Sequence, residues 1–173
     1  MSVWWYIGGG GILALLFFWW VFPFFFHGIP WQPTDMVRVR RMLEMASVQP
    51  GEVVYDLGCG DGRILICAAR EFEAVARGFE INPWLVFLAR IRIQFARLGH
   101  RVRVHLKDIH TVDLSKADVV TMFLFQHVND RLEDKFRREL RSGARIVSYV
   151  WILKGWKPLD TDPVKRLYLY KKQ

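Results

Sequence analysis

Residues 54–64 read VYDLGCGDGRI, and this short stretch decides the fold. Val53 to Leu57 is an apolar run with β-branched members, the signature of a strand buried on both faces. Gly58, Gly60 and Gly62 follow at alternate positions, and Gly62 to Phe72 reads as a helix. Strand, glycine turn and helix in that order let the backbone turn sharply and come close to a ligand. The G-x-G-x-G spacing differs from the G-x-G-x-x-G of dinucleotide sites.

Outward from that turn, strands and helices alternate. On the amino-terminal side, Thr34 is placed to cap a helix running to about Ser47, ended by Pro50-Gly51. On the other side, Ala76 to Glu80 reads as a second strand. Asn82 caps the next helix with Pro83 at its first position, and Gly99 stops it after Leu98. Val102 to Leu106 and Asp118 to Phe125 read as strands three and four. A helix from about Asn129 to Arg141 follows, then strands over Arg145 to Trp151 and Arg166 to Lys171. Such alternation predicts an α/β fold with a mostly parallel sheet and helices on both faces.

The acids fall at successive strand ends. Asp56 and Asp61 lie in the glycine turn, where a pyrophosphate is disfavoured and a ligand carrying sulfonium and ammonium charges is favoured. Glu80 ends the second strand 24 residues after Asp56, which suits a carboxylate accepting hydrogen bonds from a ribose diol. Ile81 and Asn82 come next and are placed with it. Asp108, after the third strand, is placed to meet an adenine edge. These features describe a nucleoside ligand that carries sulfonium and ammonium charges. No metal-ligand set is assigned, and Cys59 and Cys67 do not form a disulfide framework.

The chain has 173 residues and a formal charge of +8, yet no Asp, Glu, Lys or Arg precedes Asp35. Trp4 to Phe22 alone, at about 1.5 Å per residue, is roughly 28 Å of helix, enough to cross a bilayer core. Tryptophans cluster near both ends, as in interfacial aromatic belts. No basic segment precedes the run and no small-residue cleavage site follows it, so a permanent transmembrane anchor is expected over residues 1–27, with the α/β domain over 28–173. Arg38, Arg40 and Arg41 follow the span, which by the positive-inside rule puts the body on the cytoplasmic face of the lipid bilayer. In a mitochondrion the equivalent face is the matrix side.

The stretch 54–64 resembles motif I of class I S-adenosylmethionine-dependent methyltransferases, which have a Rossmann-like sheet. GFEINPWLVFLAR from Gly78, FRRELRSGARIVSYVW from Phe136 and Gly155-Trp156 narrow the resemblance to a family of small protein-lysine methyltransferases. That family includes archaeal enzymes of broad specificity and mitochondrial, membrane-anchored enzymes acting on the adenine nucleotide translocase and the ATP synthase c-subunit. The resemblance implies S-adenosylmethionine as cofactor, bound by Thr34, Asp56, Gly58, Gly60, Asp61, Glu80, Ile81, Asn82 and Asp108, and a lysine acceptor on an integral membrane protein. Pro33-Thr34 matches the family's Pro-Thr step near the cofactor.

On the acceptor side, Gln126 and Asn129 are placed to orient an amine, and Tyr149 or Trp151 to wall a channel. His127 is a candidate base, or a solvated loop residue. Asn129 has a second reading, as the cap of its helix. Nucleic acid is not expected as substrate, because Phe123-Leu124-Phe125-Gln126 stands where amino-methyltransferases of nucleic acids carry Asn/Asp-Pro-Pro-aromatic. A lipid or quinone acceptor, or a non-catalytic scaffold that binds S-adenosylmethionine, are the competing readings.

Overall fold

A computed structural model describes Gly11 and residues 32–173. The chain divides into two compact units, residues 1–32 and 33–173. Apart from Gly11, which is helical, the expected anchor over residues 1–27 lies outside the described residues. Among the described residues no helix is long and apolar enough to cross a membrane.

The second unit runs α1 (Met36–Met45), β1 (Val53–Leu57), α2 (Arg63–Glu71), β2 (Val75–Glu80), α3 (Pro83–Phe95), β3 (Val102–Leu106), a 3₁₀ turn (Ile109–Thr111), β4 (Val119–Met122), α4 (Gln126–Glu139), β5 (Arg145–Tyr149), β6 (Asp160–Asp162) and β7 (Leu167–Lys171). The strands form one sheet in the order β3-β2-β1-β4-β5-β7-β6. β1 to β5 are parallel, and β7 lies antiparallel between β5 and β6. The order reverses at β1, so the β1 and β4 ends flank the switch point where open α/β sheets bind ligands.

Helices cover both faces because each strand alternates its side chains. Val54, Ala76, Val104, Val119 and Val147 pack against α1, α2 and α3 in one core. Tyr55, Leu57, Val120, Met122 and Ile146 pack against α4 in the other. Fully buried side chains such as Leu43, Leu65 and Phe136 each contribute about 1.5–3 kcal/mol through burial.

Several boundaries differ from expectation. Asp35, not Thr34, caps α1, its carboxylate accepting from Arg38 N at 3.0 Å. β4 ends at Met122 and β5 at Tyr149, because the parallel pairing of these two strands stops at Met122↔Ser148. α4 begins at Gln126 behind Phe125, which supplies no side-chain cap. β6 was not expected; it is a three-residue polar strand that pairs with β7.

Candidate active site

The first turn of the switch point is built on positive φ. Gly58 has φ +78°, and a Cβ there would meet Leu124 Cδ2 at 2.9 Å, so both conformation and space require glycine. Gly62 caps α2 at φ +77°, close under Ala89 of α3. Backbone N–H groups of Gly58 and Cys59 both donate to the Phe79 carbonyl, at 2.9 and 3.1 Å, and tie the turn to the end of β2.

Glu80 joins this turn to the next helix. Its Oε2 accepts from Gly60 N at 3.0 Å, and its Oε1 from Ile81 N and Asn82 N, both at 2.9 Å. Asn82 then caps α3 by accepting from Trp84 N at 2.9 Å. A carboxylate oxygen has two acceptor sites. Among the described residues Oε2 takes a single donor, and one site is left for a ligand hydroxyl. Asp108 is exposed after β3, where one carboxylate oxygen caps the 3₁₀ turn through His110 N at 2.9 Å. An open glycine backbone, a carboxylate with spare acceptor capacity and a second exposed acid on the adjacent strand fit a nucleoside ligand such as S-adenosylmethionine.

The other two acids are arranged differently from expectation, because neither offers bare charge to a cationic ligand. Asp56 is 2% exposed and accepts from Thr121 Oγ1 at 2.8 Å. Burial pushes its carboxyl up to about 7; the Thr121 bond opposes this and the nearby Glu80 charge adds to it. Asp61 is also buried and is gripped by two guanidiniums. Arg63 donates to it through Nε at 2.9 Å and Nη2 at 2.7 Å, and Arg92 of α3 pairs with the same carboxylate. The remaining Nη1 of Arg63 donates to the Thr34 carbonyl at 2.8 Å. Thr34, buried, is thus linked through Arg63 to the glycine turn. Neither arginine was singled out from the sequence.

Across the switch point, aromatic rings gather at the ends of β4 and β5. The strand register sets Phe123 beside Tyr149, with ring centroids 4.3 Å apart. Phe125 and Trp151 form a second pair at 6.2 Å. The guanidinium of Arg38, held by Asp35, lies over the Tyr149 ring at 5.5 Å. Half-buried Tyr149 therefore already has a cation on its face.

The turn after β5 is strained. Val150 adopts φ +70°, unusual for a β-branched residue, and Trp151 N donates to the Tyr149 carbonyl at 2.9 Å, closing a γ-turn of the rarer, positive-φ kind. Several groups hold it. Val150 N donates to Arg166 O at 2.8 Å, Gln126 Nε2 to Ile152 O at 2.9 Å, and Leu153 N to the Tyr170 hydroxyl at 3.0 Å. Gln126 also bonds Asp130 at 2.7 Å. Its amide braces the turn.

Asn129 is wholly buried in the first turn of α4 and does not cap the helix. Its Nδ2 donates to Ser148 Oγ at 3.3 Å and to the Trp151 carbonyl at 3.1 Å, while its Oδ1 has no partner among the described residues. It is a positioning residue for the γ-turn. His127 is exposed and stacks on Phe125 at 6.0 Å.

Comparison with known proteins agrees with this geometry. Residues 56–160 match the model of the ANTKMT methyltransferase domain. A protein-lysine N-methyltransferase of Saccharolobus islandicus (strain REY15A) is 41% identical over 149 residues, covering 82% of this chain and 92% of that protein. An adenine nucleotide translocase lysine N-methyltransferase of Mus musculus is 39% identical over 131 residues, 76% of this chain. The chain spans only 57% of that mouse protein's length. Among solved structures, an RNA methyltransferase from Salinibacter ruber in complex with S-adenosyl-L-homocysteine superposes with a TM-score of 0.78 at 38% identity, covering 82% of this chain and 92% of that one.

Proposed function

The chain belongs to the ANTKMT methyltransferase-domain family and is an S-adenosylmethionine-dependent methyltransferase with a class I Rossmann-like fold, and from that premise we propose that it methylates a lysine side chain of a membrane protein. The aromatic set at the ends of β4 and β5 carries this reading. S-adenosylmethionine, when bound, supplies a methyl group on a positively charged sulfonium. Glu80, the Gly58–Gly60 backbone, Ile81, Asn82 and Asp108 hold its nucleoside side. Asp56, Asp61 and Thr34 fix the turn from beneath.

The chain's task on the acceptor side is to make an ammonium give up its proton and align the resulting amine. An unperturbed lysine has a pKa of about 10.4, and removal from water lowers it. Phe123, Tyr149, Phe125 and Trp151 provide a water-excluding wall whose ring faces also tolerate a cation, as Arg38 over Tyr149 demonstrates. Alignment and desolvation suffice for a displacement of this kind.

The membrane part of the proposal rests on the uncharged run before Asp35. Residues 1–27 act as the anchor, 28–173 as the catalytic body, and the basic flank keeps that body on the cytoplasmic face, or the matrix face of a mitochondrion. Anchoring raises the local concentration of membrane-bound acceptors. The translocase named for the mouse relative supports an acceptor of this class.

A second reading has one observation in its favour: the Salinibacter ruber relative is described as an RNA methyltransferase. One experiment separates the two. The purified full chain is incubated with methyl-labelled cofactor, membrane fractions and total RNA, and the label is mapped. Label on a lysine of an integral membrane protein is expected. Label confined to RNA, lipid or quinone overturns the proposal.

A further inference from the structure

Helix α3 is apolar on two opposite sides. Val86, Ala89 and Ile93 are buried and face the sheet. At roughly 100° per residue, Phe87, Leu88, Ile91 and Phe95 fall within an arc of roughly 100° on the other side. They are exposed, Phe87 by 56% and Phe95 by 85%, and Leu106 at the end of the neighbouring β3 adds 55%. A soluble helix normally turns charge outward; one that is apolar all round is covered by something.

The charge around this face says what covers it. From Ile81 to Lys107 there is no Asp or Glu, but there are Arg90, Arg92, Arg97, Arg101, Arg103 and Lys107. That is a formal +6 in a chain whose total is +8. Arg92 is spent on Asp61. Arg90, at the flank of the apolar arc, donates to the Val104 carbonyl, and Arg97, just past the end of α3, is exposed. An apolar centre with arginines at its flank matches the boundary between acyl chains and anionic headgroups.

We propose that the outer face of α3, with Leu106 and its arginine border, lies on an anionic phospholipid bilayer. Phe87, Leu88, Ile91 and Phe95 enter the headgroup layer, while Arg97 reaches phosphates through its long side chain and Arg90 adds its charge from the flank. α3 begins directly after Glu80, Ile81 and Asn82, so this contact holds the cofactor end of the sheet at a fixed height above the membrane. The inference deepens the reading of a membrane-working enzyme and rests on it, but it concerns a contact independent of residues 1–27.

The test uses the full chain with one added cysteine, Phe95→Cys, carrying an environment-sensitive fluorophore. Cys59 and Cys67 are buried and their thiols are pushed up, Cys67 to about 12, so they do not compete for the label. In phosphatidylcholine–phosphatidylglycerol vesicles the probe shifts to the blue and is quenched by brominated lipid. The same label at Val164→Cys stays in water. Arg97→Glu weakens the interaction roughly tenfold.

A companion chain with Leu15→Arg and Leu16→Arg disables the anchor; salt-sensitive binding to anionic vesicles, and none to pure phosphatidylcholine, supports the α3 contact. If the unaltered chain stays with vesicles through carbonate washing while the Phe95 probe remains in water, the anchor stands and this inference is overturned. If carbonate strips the chain yet the probe enters anionic vesicles, the anchor fails and the inference stands. A dimer seen by light scattering without lipid, and lost in Phe95→Ser, also overturns it.

Discussion

The side-chain amide of Asn129 donates across 3.1 Å to the main-chain carbonyl of Trp151, linking the first turn of α4 to the γ-turn that follows β5. Ser148 Oγ donates to the same carbonyl and accepts from the same amide. A buried asparagine thereby ties α4 to the turn that carries Tyr149 and Trp151.

Replacing Asn129 by Ala removes both donated bonds. We expect a stability loss of about 1–3 kcal/mol, a clear drop in kcat and unchanged cofactor affinity. Asn129→Asp is expected to be worse than Asn129→Ala, because it sets carboxylate oxygens against the Trp151 carbonyl in a buried site. Thermal melts, single-turnover rates and calorimetric titration of cofactor read the three quantities. Equal melting of the two variants would remove the positioning role.

Val150→Gly tests the strain. Glycine accepts φ +70° freely, so relief of about 1 kcal/mol offsets its greater unfolded-state entropy. Stability should stay within about 1 kcal/mol of the parent while kcat falls as Tyr149 and Trp151 lose their fixed spacing. A parent-like kcat would show that the strained turn has no role in turnover.

Glu80→Gln exchanges an acceptor oxygen for a donor where backbone N–H groups already point in. Affinity for S-adenosylmethionine should fall roughly ten- to a hundred-fold, by loss of charge-assisted hydrogen bonds of about 1.5–3 kcal/mol. Titration calorimetry on a folded variant checks it, and an unchanged affinity would exclude Glu80 from the ribose.

Asp56 makes a pH prediction. Its folded pKa of about 7 lies above the ordinary value of 3.8, so the folded state holds the proton more tightly. The contribution to stability is present below about pH 4 and is lost as pH rises to about 7. Asp56→Asn removes this slope. The stability of the parent minus that of the variant should therefore decline between pH 4 and 7 and level off above. A difference that rises with pH would mean that Asp56 is ionised in the fold.

Much of this molecule is legible in its sequence, for identifiable reasons. The β1 run, the glycine turn and the Asn82-Pro83 start of α3 follow local rules that tertiary structure leaves intact. The ends of β4 and β5 are not legible, because Phe123, Phe125, Val150 and Trp151 have strand-forming side chains but lie beyond the last paired residues. α4 is invisible at its start for the opposite reason: Phe125 caps nothing, so the polar Asn129 looks like the cap it is not. Nor does an acid announce its partner. Asp61 reads as a charge for a ligand until Arg63 and Arg92, brought in by the turn and by α3, are seen to consume it.

The outer edge of β3 has a consequence of a different kind. Val104 turns its carbonyl away from β2, a group that in an open sheet invites another chain to pair. Arg90 reaches over from α3 and donates to it through Nε at 3.3 Å and Nη2 at 3.0 Å, and exposed Arg103 stands beside it on the strand. A newcomer strand would have to displace a guanidinium and bury its charge. Crowded copies therefore resist strand-to-strand pairing at this edge, and Arg90→Ala is expected to raise aggregation as read by light scattering.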